Sequence, residues 1–291
     1  MTPTVKEGVI RKALSGFYSV RTGSEEYICR GRGILRRMGL TPLVGDRVVI
    51  SVQDEEEGVI DSICARDNSF VRPPVANIDL FVCVVATEDP APNLEILDRF
   101  LVTAEAADVS AVICVNKTDL NEDVPALIRS IYDGIYPVAA TSTVTRCGIA
   151  ELRDIIAGKT VAFAGPSGAG KSSLISLLAD ADAETGEISR KTGRGKHTTR
   201  HVEIYDTDFG AEIFDTPGYT SFEGIFPDNA QLCSCFPEIF AASERCRFDD
   251  CCHDEEPDCG VRDAVARGAI AASRYESYVR LSRELKGIIR K

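Results

Sequence analysis

A four-residue motif with the chemistry to recognise guanine stands near the middle of this chain. It consists of Asn116, Lys117, Thr118 and Asp119, and it follows an apolar run at 110–115 that predicts a buried strand. The carboxylate of Asp119 can accept hydrogen bonds from the N1–H and N2–H₂ groups of guanine. Adenine offers no such pair of donors and would leave a buried carboxylate unpaired. Asn116 is expected to brace the surrounding loops, and the stem of Lys117 to cover one face of the base.

A second motif is a glycine-rich phosphate loop that ends in Lys-Ser. Its residues are Gly165, Pro166, Ser167, Gly168, Ala169, Gly170, Lys171, Ser172 and Ser173. A buried-strand pattern at 160–164 precedes it and a helical run at 173–178 follows, so backbone N–H groups and a helix N-terminus would face an anion. Lys171 would reach the β- and γ-phosphates, and the Ser172 hydroxyl would bind Mg²⁺. A glycine-rich turn that matches by chance would not explain these features together.

Two further segments supply the remaining parts of a GTPase site. Asp215 ends an apolar run at 211–214 and would hold Mg²⁺ through water, while the N–H of Gly218 would contact the γ-phosphate. Of Thr198 and Thr199, one hydroxyl should complete the Mg²⁺ shell, and we favour Thr199. In an ordinary GTPase the phosphate loop comes first and the guanine motif last. Here the guanine motif comes first, so the complete but reordered set predicts a circularly permuted GTPase.

The group that orients the attacking water is expected beside the same segments. Tyr219 follows Gly218, where many GTPases carry a Gln for this task, and a phenol cannot act in the same way. His197 stands beside Thr198, and its imidazole can orient or deprotonate a water molecule. A catalytic role for His197 and a solvated histidine in a basic loop are equally open at this point.

Four potential zinc ligands lie within fourteen residues. They are Cys246, Cys251, His253 and Cys259. Three thiolates and one imidazole would close a tetrahedral structural Zn²⁺ site with no open position for catalysis. Ordinary reduced cysteines with one chance histidine are the alternative, which this close spacing disfavours. Cys252 could replace Cys251 as a ligand. Cys233 and Cys235 are either further candidate ligands or small free thiols.

The composition favours an intracellular enzyme. The chain has 291 residues, a net charge of −12 and eleven cysteines. In a small secreted protein so many cysteines would indicate disulfides, but Cys83 and Cys114 fall within buried-strand patterns. No apolar signal segment opens the chain, and no run is long enough to span a membrane. We therefore expect a cytoplasmic protein of two or three domains. We also expect a monomer.

The N-terminal part has the pattern of a small β-barrel. Five strand-like runs alternate with turns rich in Gly, Asp and Glu, at 5–11, 16–22, 26–32, 47–53 and 58–64. They favour an OB-fold, which binds oligonucleotides or serves as a plain docking domain. A linker at 72–74 and a buried strand at 77–86 follow. The fold predicted is multidomain α/β, with an OB-fold at 1–72, a circularly permuted phosphate-loop GTPase domain at 73–221 and a helical zinc-binding domain at 222–291.

The charge distribution bears on RNA as a partner. Residues 76–221 carry 12 basic and 22 acidic side chains, so the acid is concentrated in the nucleotide domain. Basic residues cluster at Arg30, Arg32, Arg36 and Arg37 in the barrel, and at Arg190, Lys191, Arg194, Lys196 and Arg200 beside the paired threonines. Such clusters can meet phosphates even on an acidic protein. RNA contact is favoured over the alternative of solvated loops.

The chain resembles the circularly permuted, small-subunit-dependent GTPases of the RsgA type along nearly all of its length. The resemblance rests on the segments 45–48, 72–79, 116–119, 165–173, 195–199, 215–218 and 246–259. It implies an OB-fold, a permuted GTPase domain and a helical zinc domain. It also implies GTP as substrate, GDP as product, Mg²⁺, one structural Zn²⁺, and the small (30S) ribosomal subunit with its 16S rRNA as partner. Family members act late in assembly of that subunit, which stimulates their GTP hydrolysis.

The order of the motifs predicts how the parts communicate. The permutation cuts an ordinary GTPase chain just after the segment at 215–218, so Phe222 leads directly into the zinc domain. The γ-phosphate holds such segments in one arrangement, and hydrolysis releases them. We expect the barrel and the zinc domain to grip the subunit in the GTP state and to let go after hydrolysis.

Two other classes of function stay open. One is a nucleotide-gated RNA-binding or checkpoint protein in which hydrolysis only resets the switch. The other is a phosphate-loop kinase, against which the guanine motif and the paired threonines argue. Two features depart from the family pattern: the base-side loop, expected near 139–141, is stretched up to Cys147 before Gly148 starts the next helix, and Cys252 is an extra thiol.

Overall fold

The computed structural model describes residues 4–179, 202–216, 228 and 230–287. The chain divides into two compact units that alternate along the sequence. The first unit is Met1–Leu80, Ile156–Ala162 and Ile175–Gly224, and the second is Phe81–Ile155, Phe163–Leu174 and Ile225–Lys291.

The described elements are numbered in chain order. The strands are β1 Thr4–Leu14, β2 Phe17–Thr22, β3 Glu25–Gly31, β4 Arg47–Val52, β5 Glu57–Ile63, β6 Ser69–Phe70, β7 Val75–Ala76, β8 Leu80–Ala86, β9 Ser110–Asn116, β10 Val138–Ala140, β11 Thr160–Ala164, β12 Glu203–Asp206 and β13 Glu212–Asp215. The helices are α1 Gly33–Arg37, α2 Leu94–Ala106, α3 Val124–Tyr132, α4 Ile149–Ile156, α5 Lys171–Ala179, α6 Pro237–Ser243, α7 Gly260–Ala266 and α8 Ala272–Leu285, with a 3₁₀ turn at Leu232–Cys235.

Strands β1 to β5 close a five-stranded barrel in the first unit. β1 pairs antiparallel with β2 and with β4, β2 pairs with β3, and β3 runs parallel to β5, which returns to β4. Side chains alternate between core and surface along these strands, so Ile10, Val20, Ile50 and Ile60 meet with no exposed surface. The OB-fold predicted from five short runs is confirmed.

The chain leaves the barrel through a short paired segment. Strands β6 and β7 pair with each other, and the N–H of Ala76 donates to the carbonyl of Val44 at 2.9 Å. Asn77 adopts a left-handed φ of 58°, and its Nδ2 donates to the carbonyl of Gly45 at 2.8 Å. The strand predicted to start at residue 77 therefore begins at Leu80, because Asn77 turns the backbone instead of extending it.

The first three residues of β11 and the whole of β12 and β13 also belong to the first unit. β11 runs parallel to β13 from Thr160 to Ala162. β12 and β13 form an antiparallel hairpin. β1 of the barrel pairs with β12 where Lys12 lies opposite Glu203. The barrel and this hairpin are thus parts of one compact unit.

The second unit contains three neighbouring strands and the helices that pack on them. β10, β9 and β8 are neighbours, and β10 runs parallel to β9. Every residue of β8 and all but the first of β9 are buried, which is typical of strands in a parallel sheet covered on both faces. Both strands were predicted as buried runs.

The C-terminal part of the second unit is a small helical layer made of the 3₁₀ turn, α6, α7 and α8. Its core includes Phe236, Ile239, Val261 and Leu281, which have no exposed surface, together with Val102 of α2. The layer therefore packs on α2, and the predicted helical C-terminal fold is confirmed. Within the described ranges, no helix has both the length and the apolar character needed to cross a membrane.

Candidate functional site

The phosphate loop connects β11 to α5. The strand ends at Ala164 and the helix begins at Lys171, two residues earlier than predicted. Gly170 has a φ of 91°, and a Cβ at this position would stand only 2.2 Å from Nδ2 of Asn116. A side chain is therefore excluded here. Because α5 begins at Lys171, the N–H groups of its first turn have no acceptor within the helix, as an anion site requires.

The ammonium group of Lys171 lies over the loop backbone. Its Nζ donates to the carbonyls of Gly165 at 2.7 Å and Pro166 at 2.9 Å. Burial lowers the pKa of Lys171. A polyphosphate would oppose that shift, because a nearby negative charge stabilises the ammonium form. Ser172 and Ser173 follow in the first turn of α5 with exposed side chains.

Asn116 ties the guanine motif to the phosphate loop. It is the last residue of β9 and is fully buried. Its Nδ2 donates to the carbonyl of Ala169 at 2.9 Å, and its Oδ1 accepts from Oγ1 of Thr141 at 3.2 Å. The N–H of Thr118 also donates to the carbonyl of Thr141, at 3.1 Å. The guanine motif, the phosphate loop and the segment after β10 are thus joined through one amide side chain.

Lys117 holds the guanine motif in a tight turn. Its φ is 63°, in the left-handed region. Its carbonyl accepts from Oγ1 of Thr87 at 2.6 Å, and its Nζ donates to the backbone carbonyls of Glu88 and Asp89. The lysine stem therefore extends toward the segment after β8. No sequence motif marks Thr87, Glu88 or Asp89, so sequence reasoning missed this side of the site.

Ser142 is a further residue that sequence reasoning missed. Its hydroxyl donates to Oδ1 of Asp119 and accepts from the backbone N–H groups of Val144 at 3.2 Å and Thr145 at 3.1 Å. The base-side loop was expected near 139–141, but Val138–Ala140 forms strand β10 and the loop begins after it. The signal that could have found Ser142 is a polar Thr-Ser pair directly after a short apolar strand.

Of the remaining residues predicted to act at the nucleotide site, the structure places one and does not describe four. Asp215 is the half-buried last residue of β13. His197, Thr198, Thr199 and Gly218 lie outside the described residues. Their roles stay predictions.

The four potential zinc ligands come together at the edge of the helical layer. One ligand atom from each of Cys246, Cys251, His253 and Cys259 lies within 4.8 Å of the others. Nδ1 of His253 is 3.5 Å from Sγ of Cys246 and 3.6 Å from Sγ of Cys259, and the two sulfurs are 3.9 Å apart. A tetrahedral zinc ion places such atoms about 3.5–3.8 Å apart, given its usual bond lengths. The residues therefore fit Zn²⁺.

Backbone contacts hold the loop that carries these ligands. The carboxylate of Glu256 accepts from the N–H groups of Cys252, Asp254 and Glu255 at 3.0–3.2 Å. Burial would raise the pKa of Glu256, but these backbone donors outweigh it and the pKa falls below its usual range. The hydroxyl of Tyr275 donates to the carbonyl of His253 at 2.7 Å. The loop is thus shaped by groups other than the ligands themselves.

Three more cysteines lie near the cluster but occupy different positions. Sγ of Cys252 contacts the carbonyl of Asp250 at 3.8 Å, and Cys252 is not one of the four residues whose ligand atoms cluster. Sγ of Cys233 lies 3.5 Å from Nε2 of His253, on the side of the ring opposite Nδ1. Cys235 is buried. The geometry favours Cys251 over Cys252 as the second thiol ligand.

The basic cluster of the barrel lies at its surface. Arg30 is exposed, and its guanidinium is stacked 4.3 Å from the ring centroid of Phe17, which is 41% exposed. Arg32 makes an ion pair with Asp61 at 2.5 Å. The second basic cluster, at 190–200, lies outside the described residues.

Comparison with known families gives two matches that together span most of the chain. A family model described as RsgA GTPase matches residues 63–224, and one described as RsgA N-terminal domain matches residues 7–60. A relative from Alkaliphilus metalliredigens (strain QYMF) is 43% identical over 97% of this chain and 98% of its own. Another from Caldanaerobacter subterraneus subsp. tengcongensis is 44% identical over 96% of each chain. Both are named small ribosomal subunit biogenesis GTPase RsgA.

Solved structures show the same likeness along the whole chain. The crystal structure of YjeQ from Thermotoga maritima has a TM-score of 0.84 and 35% identity, covering 98% of this chain and 99% of that one. The crystal structure of YloQ, described as a circularly permuted GTPase, has a TM-score of 0.81 and 37% identity, covering 99% and 97%. The reordered motifs therefore belong to a fold already known in that order.

Proposed function

The chain belongs to the RsgA GTPase family and hydrolyses GTP, and we propose that it does so in the late maturation of the small ribosomal subunit. The observation that carries this proposal is the hydrogen bond from Nδ2 of Asn116 to the carbonyl of Ala169. It joins a guanine motif to a phosphate loop that follows it in the sequence, as in a circularly permuted GTPase. The names of relatives that match along nearly their full length supply the biological process.

Guanine is read by Asp119, with Ser142 as its support. The Ser142 hydroxyl donates to one carboxylate oxygen of Asp119, which orients the carboxylate and leaves its other lone pairs for the guanine N–H groups. The stem of Lys117 covers one face of the base. This arrangement makes GTP and GDP the bound nucleotides.

The phosphates are held by the loop at 165–173 and by Lys171. Ser172, Thr199 and Asp215 hold Mg²⁺, directly or through water. When bound there, Mg²⁺ would supply positive charge to offset the negative charge that develops on the phosphates. The N–H of Gly218 contacts the γ-phosphate, and His197 orients the attacking water.

The small subunit and its 16S rRNA are the partner, and the barrel is one surface that meets the RNA. The exposed Arg30–Phe17 stack supports this assignment, because an arginine and an aromatic ring together suit the phosphates and bases of single-stranded RNA. The chain binds the subunit in the GTP state and leaves it after subunit-stimulated hydrolysis. It acts in the cytoplasm as a monomer.

One structural Zn²⁺ is held by Cys246, Cys251, His253 and Cys259. A metal there compensates for the small core of the C-terminal segment. Elemental analysis of purified protein should find about one zinc per chain, and a Cys246→Ser/Cys259→Ser variant should lose it and become protease-sensitive in that segment. Full retention of zinc in the double variant would show that the metal is held elsewhere.

The partner is tested by co-sedimentation and by turnover. Small subunits, large subunits and whole ribosomes are each mixed with the chain in a non-hydrolysable GTP analogue and in GDP. We expect binding to small subunits in the analogue only, and faster GTP hydrolysis when small subunits are added. Equal binding in both nucleotides without stimulation would instead indicate an RNA-binding protein for which hydrolysis is incidental.

A further inference from the structure

The β12–β13 hairpin carries a pair of opposed carboxylates at each end. Asp206 lies opposite Glu212 beside the turn, and Glu203 lies opposite Asp215 at the open end. Directly opposed residues of an antiparallel pair share one face of the sheet, so like charges at these positions destabilise the hairpin. Because the hairpin ends in Asp215, its alignment bears directly on the proposed magnesium site.

Two arginines of the barrel offset the charge at the turn end. Arg11 of β1 donates from Nη1 to Glu212 at 2.5 Å and from Nη2 to Asp206 at 2.7 Å. Arg21 of β2 contacts the same two carboxylates, with Nη2 2.6 Å from Glu212. Each arginine therefore bridges both strands of the hairpin. Asp206 and Glu212 are held together by cations that belong to the barrel.

The negative charge at the open end of the hairpin is offset in the same way. Nζ of Lys12 lies 2.8 Å from Glu203, and these two residues also pair across β1 and β12. The barrel also comes close to the hairpin at Gly45, where an added Cβ would stand only 2.9 Å from Cζ of Phe214, the neighbour of Asp215. The barrel thus meets the hairpin at both ends and along β13.

The guanidinium of Arg11 has little access to water that could replace these contacts. Its side chain is 7% exposed, and Nη2 also reaches the carbonyl of Ile204 at 3.3 Å. A buried cation without its carboxylates is strongly unfavourable, and so are two opposed carboxylates without their cations. The barrel and the hairpin therefore depend on each other for their charge balance.

We propose that Arg11 and Arg21 are positioning residues for GTP hydrolysis, which act by fixing the β12–β13 hairpin that ends in Asp215. The proposal rests on the proposed role of Asp215 at the magnesium site. It gives the barrel a second role besides contact with a partner: the barrel provides the counter-charges that keep the magnesium strand aligned. The arginines act through Asp206 and Glu212 and not by touching the nucleotide.

The test compares single-turnover GTP hydrolysis across a Mg²⁺ titration, without ribosomal subunits. In an Arg11→Met/Arg21→Met variant we expect the rate at saturating Mg²⁺ to fall about tenfold, since small misplacements far from the chemistry have effects of this size or more. The Mg²⁺ concentration for half-maximal rate should rise. GDP affinity measured in EDTA should stay within about twofold, because the base and phosphate contacts are not altered. Hydrogen exchange of the backbone amides at 203–215 should become faster.

Two comparisons separate charge balance from loss of packing. Adding Asp206→Asn and Glu212→Gln to the variant removes the opposed charges, and hydrolysis and amide protection should recover toward the natural chain. Lys6→Met is the matched control on the same strand, because Lys6 pairs with Glu25 of β3 at the barrel surface and not with the hairpin. It should change none of these quantities. If the double variant does not fold, Arg21→Met alone serves, since its side chain is 34% exposed.

Three results would overturn the proposal: an unchanged rate and Mg²⁺ dependence, faster amide exchange without slower hydrolysis, or no recovery when the carboxylates are neutralised. Failure of the proposed function has a separate signature. If Asp215→Asn leaves the Mg²⁺ dependence of the natural chain unaltered, the assignment of Asp215 is wrong. If small subunits do not stimulate the natural chain, the partner is wrong.

Discussion

Nη1 of Arg274 lies 2.7 Å from Oδ1 of Asp98, and neither side chain is exposed to solvent. Arg274 belongs to α8 and Asp98 to α2, so a buried ion pair attaches the helical layer to a helix beside the sheet of the guanine motif. Nε of Arg274 also donates to Glu238 at 2.7 Å, and the hydroxyl of Tyr132 donates to Asp98 at 2.7 Å. The guanidinium lies 4.5 Å from the ring centroid of Phe236. The layer that holds the candidate zinc ligands is therefore fastened by charge as well as by its apolar core.

Replacement of this arginine should destabilise the chain strongly. Arg274→Met would leave Asp98 and Glu238 without their buried counter-charge, which typically costs about 3–5 kcal/mol in free energy of unfolding. Urea denaturation followed by fluorescence and circular dichroism would measure the loss. Arg280→Met is the control, because Arg280 lies on the same helix but is 57% exposed, and it should cost less than about 1 kcal/mol. Equal effects of the two changes would contradict the buried-charge argument.

The base specificity should reside in one carboxylate. Asp119→Asn replaces an acceptor with an amide whose donor faces the guanine N–H groups, so GTP affinity should fall by about a hundredfold or more, the scale for unpaired buried polar groups. Xanthosine triphosphate, which presents an acceptor where guanine has its amino group, should bind better than GTP. Competition against a fluorescent nucleotide measures both affinities. Unchanged GTP affinity would show that the base lies elsewhere.

Ser142 should contribute to affinity without deciding which base is bound. Ser142→Ala removes the hydroxyl that orients Asp119 and that accepts two backbone N–H groups. GTP affinity should fall about five- to tenfold, the usual size of one lost hydrogen bond, while guanine stays preferred over xanthine. Thr145→Ala is a matched change in the same loop, since Oγ1 of Thr145 accepts only a 3.4 Å contact from the N–H of Cys147 among the described residues. An equal loss in both variants would point to the loop backbone instead of to Ser142.

The parts of the fold that sequence analysis predicted have local causes. The five barrel strands, the buried β9 and the phosphate loop follow from apolar alternation, short apolar runs and glycine spacing within a few residues. The parts it missed depend on residues far apart in the chain. Nothing near Arg274 indicates that its partner is Asp98, 176 residues away, and nothing near Arg11 indicates Asp206. Patterns along the chain show that a residue is charged, but only the packed structure shows which charges are buried and what they meet.

The catalytic role predicted for His197 concerns hydrolysis more than binding. Tyr219 occupies the position where many GTPases carry the Gln that orients water, and His197 is adjacent to the paired threonines. His197→Ala should lower subunit-stimulated turnover by about a hundredfold or more, the scale for a positioned acid–base group. Affinities for GTP and for the small subunit should hardly change, because the phosphate contacts come from other groups. Normal stimulated turnover would remove His197 from the mechanism, and a loss explained by weaker subunit binding would make it an RNA contact.

Cys233 should stabilise the zinc site without being a ligand. It contacts Nε2 of His253 while Nδ1 faces the thiols, so it can accept the ring N–H and hold the imidazole in the orientation that binds metal. Such partners typically change metal affinity by about 10–100-fold. Cys233→Ala should therefore release zinc to a chelator about tenfold faster or more, while Cys233→Ser, which keeps an acceptor, should release it more slowly than the alanine variant.

Cys235→Ala is the matched control for Cys233, because Cys235 lies in the same 3₁₀ turn and its Sγ contacts the carbonyl of Gln231 at 3.5 Å. Its zinc release should stay within about twofold of the natural chain, since it removes no partner of a ligand. The cobalt-substituted protein distinguishes a positioning thiol from a ligand. If Cys233→Ala lowers the intensity of the thiolate-to-metal absorption, Cys233 binds the metal itself. If release and spectrum are both unchanged, the contact with Nε2 does not stabilise the site.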